Sequence, residues 1–238
     1  MKKVLISGGS RGIGAACAEK FRSEGDRVVF LYRNSDEAAR ALCEKSGAEC
    51  LRCNVSDPSQ TVSAFETAVK MLGGLDTLVC CAGISHIAQI CDTSDSDWRR
   101  IADTNLTSVF TLCREASKVM AASHSGSIIN IGSIWGAVGA SCECAYSASK
   151  AGVRGLTVAL AKELAPSGVT VNCVEPGVID TDMNACFSDS EKRALAKEIP
   201  VGRFGQAWEV ARLVHFLSTD GARYITAQCI GVDGGFGR

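Results

Sequence analysis

The chain has 238 residues, 46% of them apolar, and a formal net charge of −1. That length and composition suit one α/β domain with a large core and exclude a disordered chain. The balance of 25 basic and 26 acidic residues excludes a nucleic-acid stripe, and no apolar run is long enough to span a membrane.

Too few apolar residues follow Met1-Lys-Lys for a signal core, so a cytoplasmic protein is expected. An apolar strand over Val4–Ser7 runs into Gly8-Gly9-Ser10-Arg11-Gly12-Ile13-Gly14, and a helical pattern follows over Ile13–Ser23. Glycines at 8, 12 and 14 permit a tight turn, close approach of backbone to phosphate and close packing of helix on strand. The helix start offers free amides and a positive dipole end to a pyrophosphate. The second strand, Arg27–Leu31, is followed by Tyr32-Arg33-Asn34. An acid in that turn would bond a ribose 2′-hydroxyl, but Arg33 stands there instead, with Arg11 in the glycine turn. Two guanidinium groups suit a 2′-phosphate, so NADP(H) is expected over NAD(H).

A helix over Asp36–Lys45, a strand over Glu49–Cys53 and a helix over Ser59–Leu72 come next. A strand over Thr77–Cys81 leads into Ala82-Gly83, and a helix is expected over Asn105–Ala122. The strand Ser127–Ile131 ends near Ser133, and a helix begins at Tyr146 and runs to Leu164. Tyr146 and Lys150, four apart, then share one helix face. A lysine ammonium beside a phenol lowers the phenol pKa and makes it a usable proton donor. Ser133 can donate to a carbonyl oxygen, so the three groups suit ketone reduction if hydride comes from elsewhere. Asn105 reads equally as a helix cap or as part of the site.

The strand Thr170–Glu175 ends in Pro176-Gly177-Val178-Ile179. An excursion over about 180–206, with a charged helical portion at Ser188–Glu198, precedes the helix Ala207–Leu217 and the strand Cys229–Val232. So long an excursion in a compact domain is usually functional. The alternation predicts a single Rossmann-type α/β domain over 1–238: a doubly wound parallel sheet with helices on both faces.

Gly8-x-x-x-Gly12-x-Gly14, Asn105, Ser133, Tyr146-x-x-x-Lys150 and Pro176-Gly177, in this order, resemble the short-chain dehydrogenases/reductases along nearly the whole chain. Ile199-Pro-Val-Gly-Arg-Phe-Gly205 and Tyr224 through Gly235 narrow the likeness to bacterial 3-oxoacyl-carrier-protein reductases. The resemblance implies that Asn105, Ser133, Tyr146 and Lys150 are catalytic, with an asparagine carbonyl holding water against Lys150. It implies a cofactor wall of Gly8, Ser10, Arg11, Gly12, Ile13, Gly14, Arg33, Asn54, Val55, Cys80, Gly83, Tyr146, Lys150, Pro176, Gly177 and Ile179. It also implies a substrate lid at about 180–206 and a homotetramer. One element departs: Cys80-Cys81-Ala82-Gly83 stands where the family has Asn-Asn-Ala-Gly, and cysteine lacks most of asparagine's donors and acceptors.

The substrate is less legible. Ser133, Trp135 and Glu143 are the candidate substrate contacts. Ile134-Trp135-Gly136 and Ser141-Cys142-Glu143 resemble a branch that reduces 5-aminopentanone attached to elongation factor P; there Glu143 would meet an amine and Trp135 supply an aromatic face. An acyl-carrier-protein substrate would instead need a basic patch, with Arg99, Arg100 and Arg154 as candidates. A third reading is a sensor or scaffold that binds NADP(H) with little turnover. The 13 cysteines lack metal-site or secreted-framework spacing, and Cys50 and Cys53 would face opposite sides of a strand. His86, His124 and His215 lack ligand spacing, so no metal is expected.

Overall fold

Leu5 and Ile6, adjacent in one strand, are both fully buried and belong to different cores. That alternation recurs strand by strand and explains the runs of continuous apolar residues. In the computed structural model, which describes residues 1–184 and 188–237, β1 (Lys3–Ser7), β2 (Arg27–Tyr32), β3 (Glu49–Arg52), β4 (Thr77–Cys80), β5 (Gly126–Ile131), β6 (Val169–Pro176) and β9 (Cys229–Val232) form one parallel sheet. Their spatial order is β3-β2-β1-β4-β5-β6-β9.

Helices cover both faces. On one side α3 (Pro58–Leu72), α5 (Ser108–Ser123) and α7 (Cys144–Leu164) pack on Leu5, Leu78, Ile128 and Val171. On the other, α1 (Gly12–Ser23), α2 (Asp36–Ser46) and α9 (Ala207–Leu217) pack on Ile6, Val79, Ile129 and Val174. Cys53 joins the first core and Cys50 the second, as strand alternation requires. The strand order reverses between β1 and β4, and a doubly wound sheet opens a crevice at such a point, beyond its carboxyl ends.

Three differences from the sequence reading concern the connections. The helix expected from Asn105 begins at Ser108; before it come α4 (Asp95–Ala102) and a π turn at Asp103–Thr107. Ser94 caps α4 by accepting from the Asp97 amide at 3.1 Å, a local signal the apolar pattern does not show. A one-turn helix, α6 (Trp135–Val138), precedes α7, which starts two residues before Tyr146. The excursion is closed at its base, where β7 (Ile179–Asp180) pairs in parallel with β8 (Gly205–Gln206). Between them lies α8 (Asp189–Glu198), with a capping box at Ser188 and Glu191 and no buried residue. Residues 185–187 of the expected lid lie outside the described residues.

Leu78→Ala tests the central layer. Leu78 is fully buried in β4, so its truncation should cost about 2–5 kcal/mol, read as a lower urea midpoint at unchanged slope.

Candidate active site

The cleft starts where β1 ends. A side chain at Gly8 (φ +69°) would bring its Cβ within 2.7 Å of Ala82 Cα, and one at Gly14 within 2.2 Å of the Gly8 carbonyl oxygen. Only glycine lets this turn fold against both α1 and the segment after β4. Ser7, a polar residue ending an apolar strand, ties the same junction: its hydroxyl accepts from the amides of Cys81 and Ala82 at 3.1 and 3.2 Å. No side chain caps α1, so its first amides, at Gly12, Ile13 and Gly14, stand at a cleft they also line. That is the arrangement a bound anion needs.

The cleft holds about 620 Å³. Of the residues expected in the cofactor wall, all except Cys80 line it. Arg11 and Arg33 both border it, and Arg11 also meets Asp182 at 3.4 Å across exposed surface. Sequence reading missed Tyr32, Cys81, Arg100, Thr104, Thr181, Met183 and Asn184 in the lining. Most come from connections, where no periodicity marks them.

Cys80 requires correction. As the last residue of β4 it points into the core, where it pairs with the Cys113 thiol. Cys81 turns to the other side and lines the cleft. Burial pushes the Cys81 thiol up to about 11, so near neutral pH it is an uncharged wall and not a nucleophile.

Tyr146, Lys150 and Ser133 meet at the inner end. Tyr146 and Lys150 project from one face of α7 and are buried, yet both line the cleft. Ser133, just past β5, shares a hydrogen bond with the Tyr146 phenol and accepts from the Trp135 amide at 3.2 Å. Lys150 Nζ lies 5.7 Å from the Tyr146 ring centroid and donates to the Ile131 carbonyl at 2.8 Å. The expected lowering of the phenol pKa is not found. Burial pushes Tyr146 up to about 12, against the hydrogen bond from Ser133. Burial also lowers the Lys150 pKa, which weakens the ammonium as a counter-charge.

Asn105 is no helix cap. The π turn carries it into the interior, where its amide clamps Ile84: Oδ1 accepts from the Ile84 amide and Nδ2 donates to the Ile84 carbonyl, both at 2.9 Å. Nδ2 also reaches the Ser149 hydroxyl at 3.2 Å. Asn105 thereby fixes the cleft segment Gly83–Ile84 against α7. π turns of this kind often occur at functional sites.

None of the three substrate candidates lines the cleft: Ser133 lies just behind Tyr146 and Gly132, and the other two stand farther off. Trp135 packs edge-on against Phe236, with ring centroids 5.6 Å apart. Glu143 is half-buried and near enough to Tyr146 to raise its pKa; burial raises its own. No ion pair or hydrogen bond reaches its carboxylate among the described residues. Arg154, one of the docking candidates, donates to both carboxylate oxygens of Glu175 at 2.6 Å. Among the described residues, the group able to meet a metal ion is Cys173, Glu175 and Cys229.

The family described as Enoyl-(Acyl carrier protein) reductase matches residues 8–237. The 3-oxoacyl-[acyl-carrier-protein] reductase of Staphylococcus aureus (strain Mu50) is 40% identical over 98% of this chain and 97% of its own length. That of Escherichia coli (strain K12) is 39% identical over 98% and 96%. The chain belongs to the short-chain dehydrogenase/reductase family. It is thus an oxidoreductase. No helix of the described residues is long and apolar enough to cross a membrane.

The phenol pKa is directly testable. The difference in 295-nm absorbance between the wild type and Tyr146→Phe should show no phenolate below about pH 10, the ordinary tyrosine value. A difference midpoint below that would mean that Lys150 outweighs burial.

Proposed function

We propose that the protein is an NADPH-dependent carbonyl reductase acting on 3-oxoacyl groups carried by acyl carrier protein. The observation that carries this reading is a buried phenol beside Ser133 and Lys150, at the inner end of a cleft bordered by Arg11 and Arg33. The names of the relatives support the substrate class.

The residues fit the dinucleotide. The uncapped first turn of α1 suits its pyrophosphate, and Arg11 and Arg33 suit the 2′-phosphate. Asn54 and Val55 border the adenine end; Gly83, Pro176, Gly177 and Ile179 line the opposite half. When bound, the cofactor supplies hydride to the carbonyl carbon. The chain supplies the rest. Ser133 holds the carbonyl oxygen by donating to it, and Tyr146 delivers its phenolic proton to that oxygen. Lys150, over the ring, stabilises the phenolate as it forms. Asn105 holds Gly83–Ile84 in place and stands beside the route by which water returns a proton.

Residues 180–206 serve as a lid in this reading: the segment leaves and rejoins the fold at the β7–β8 pair, and Met183 and Asn184 reach the cleft. Arg99 and Arg100, exposed on α4, are the remaining candidates for carrier-protein docking, and Arg100 borders the cleft. The exposed Trp98 and Phe110 of α4 and α5 support self-association, for which we propose the homotetramer. The 12 described cysteines are free thiols, which supports a reducing, cytoplasmic location.

Glu143 favours a second substrate class. A half-buried carboxylate without a partner beside Tyr146 suits a cationic substrate, such as the aminoketone carried by elongation factor P. NADPH oxidation assayed with 3-oxoacyl thioesters and with an aminoketone separates the two; the thioester should be turned over faster.

Tyr146→Phe should lower kcat by about 10²-fold or more while NADPH still binds, measured by fluorescence titration. Retention of a tenth of the wild-type kcat would exclude Tyr146 as the proton donor. Arg33→Asp should lower the NADPH-to-NADH ratio of kcat/KM by about tenfold, the worth of one charge-assisted hydrogen bond. An unchanged ratio would place the 2′-phosphate elsewhere.

A further inference from the structure

The catalytic reading leaves most of the thiols without a role. Three pairs meet among the described residues: Cys43 with Cys50, Cys80 with Cys113, and Cys173 with Cys229. Cys80 and Cys113 are both buried in the core, and Cys43 and Cys50 tie α2 to the edge strand β3, away from the Ser133 turn.

The third pair differs in geometry and surroundings. Cys173 and Cys229 stand directly opposite one another on the adjacent strands β6 and β9. The Cys173 amide donates to the Gln228 carbonyl at 2.8 Å, which holds this register. Neighbouring strands lie about 4.8 Å apart, a Cα spacing that a disulfide accepts. The two sulfurs and a Glu175 oxygen lie within 4.8 Å of one another. Arg154 occupies the Glu175 carboxylate, so that group is already neutralised and is a poor metal ligand. Cys229 is partly exposed and Cys173 fully buried, which pairs an accessible attacking sulfur with a protected resolving one. The hydrogen bond from Cys173 and the charge of Arg154 lower the Cys229 pKa, against burial and the Glu175 carboxylate.

The pair is also mechanically joined to the active site. A Cβ placed on Gly132 would lie 2.6 Å from the Cys173 sulfur, so there is no slack between that sulfur and the backbone before Ser133. Gly132 donates to the Val174 carbonyl at 2.8 Å, and Ile134 donates to the Pro176 carbonyl at 3.1 Å. Ser133 is suspended between these two bonds to β6.

We propose that Cys173 and Cys229 form an oxidant-sensitive dithiol, closed to a disulfide by hydrogen peroxide, which shifts the Ser133 turn and slows the reductase; the effect on turnover rests on the reading of Ser133, Tyr146 and Lys150 given above. The Cys229 thiolate attacks one peroxide oxygen and the O–O bond breaks, giving a sulfenic acid and hydroxide, which a proton converts to water. The Cys173 sulfur then attacks the sulfenic sulfur. The S–O bond breaks, the S–S bond forms, and the departing hydroxide takes the Cys173 proton as a second water. Two thiols are oxidised and one peroxide is reduced. A dithiol reductant reverses the change.

The test uses the intact protein treated with hydrogen peroxide. Peptide mapping by mass spectrometry should find a Cys173–Cys229 disulfide. Hydrogen exchange should speed up at Gly132 and Ile134, and NADPH-dependent turnover should fall several-fold, with recovery in dithiothreitol. Cys229→Ser should keep the untreated turnover and exchange pattern and lose both responses. Oxidation of other thiols without this disulfide would overturn the proposal. So would a disulfide that leaves exchange unchanged, or a Cys229→Ser protein as sensitive as wild type. Mapping and exchange need no turnover, so a protein that reduces no carbonyl yet shows both would sink the reductase reading and leave the dithiol standing.

Discussion

Everything at this site depends on how closely the chain passes itself at the ends of β1 and β4. The Gly8 turn lies against Ala82 with no room for a Cβ, and Ser7 holds the amides of Cys81 and Ala82. That junction sits at the reversal of strand order, where the sheet leaves a crevice between its carboxyl ends. The uncapped start of α1 opens into this crevice, and the Asn105 clamp on Ile84 holds its far wall.

Tyr146, Lys150 and Ser133 are arranged by burial as much as by charge. Tyr146 and Lys150 share a face of α7, but Lys150 spends its hydrogen bond on the Ile131 carbonyl at the end of β5. The ammonium therefore stands over the ring and not at the hydroxyl. Burial therefore leaves the phenol a weaker acid than its spacing from Lys150 suggests.

The thiols show how one residue type takes different roles in one fold. Cys17, Cys53 and Cys113 fill core space as small apolar groups. Cys81 forms part of the cleft wall, where the family places an amide. At β6 and β9 two thiols face each other in register on adjacent strands. Place in the fold, not the number of cysteines, separates these cases.

The architecture and the local motifs are legible in the sequence alone. Continuous apolar strands between amphipathic helices dictate a parallel sheet covered on both faces, and the glycine turn and the Tyr146–Lys150 spacing are local in the chain, so periodicity and propensity suffice to find them. What only the tertiary structure decided is non-local. Adjacent Cys80 and Cys81 go to core and cleft because a strand alternates its sides. Asn105 becomes a clamp because a π turn, which leaves no mark in the apolar pattern, rotates it inward. Arg154 is committed to Glu175, 21 residues away, and Trp135 to Phe236 near the other end of the chain. The pKa of Tyr146 depends on how much water the assembled elements exclude, and no spacing of residues encodes that quantity.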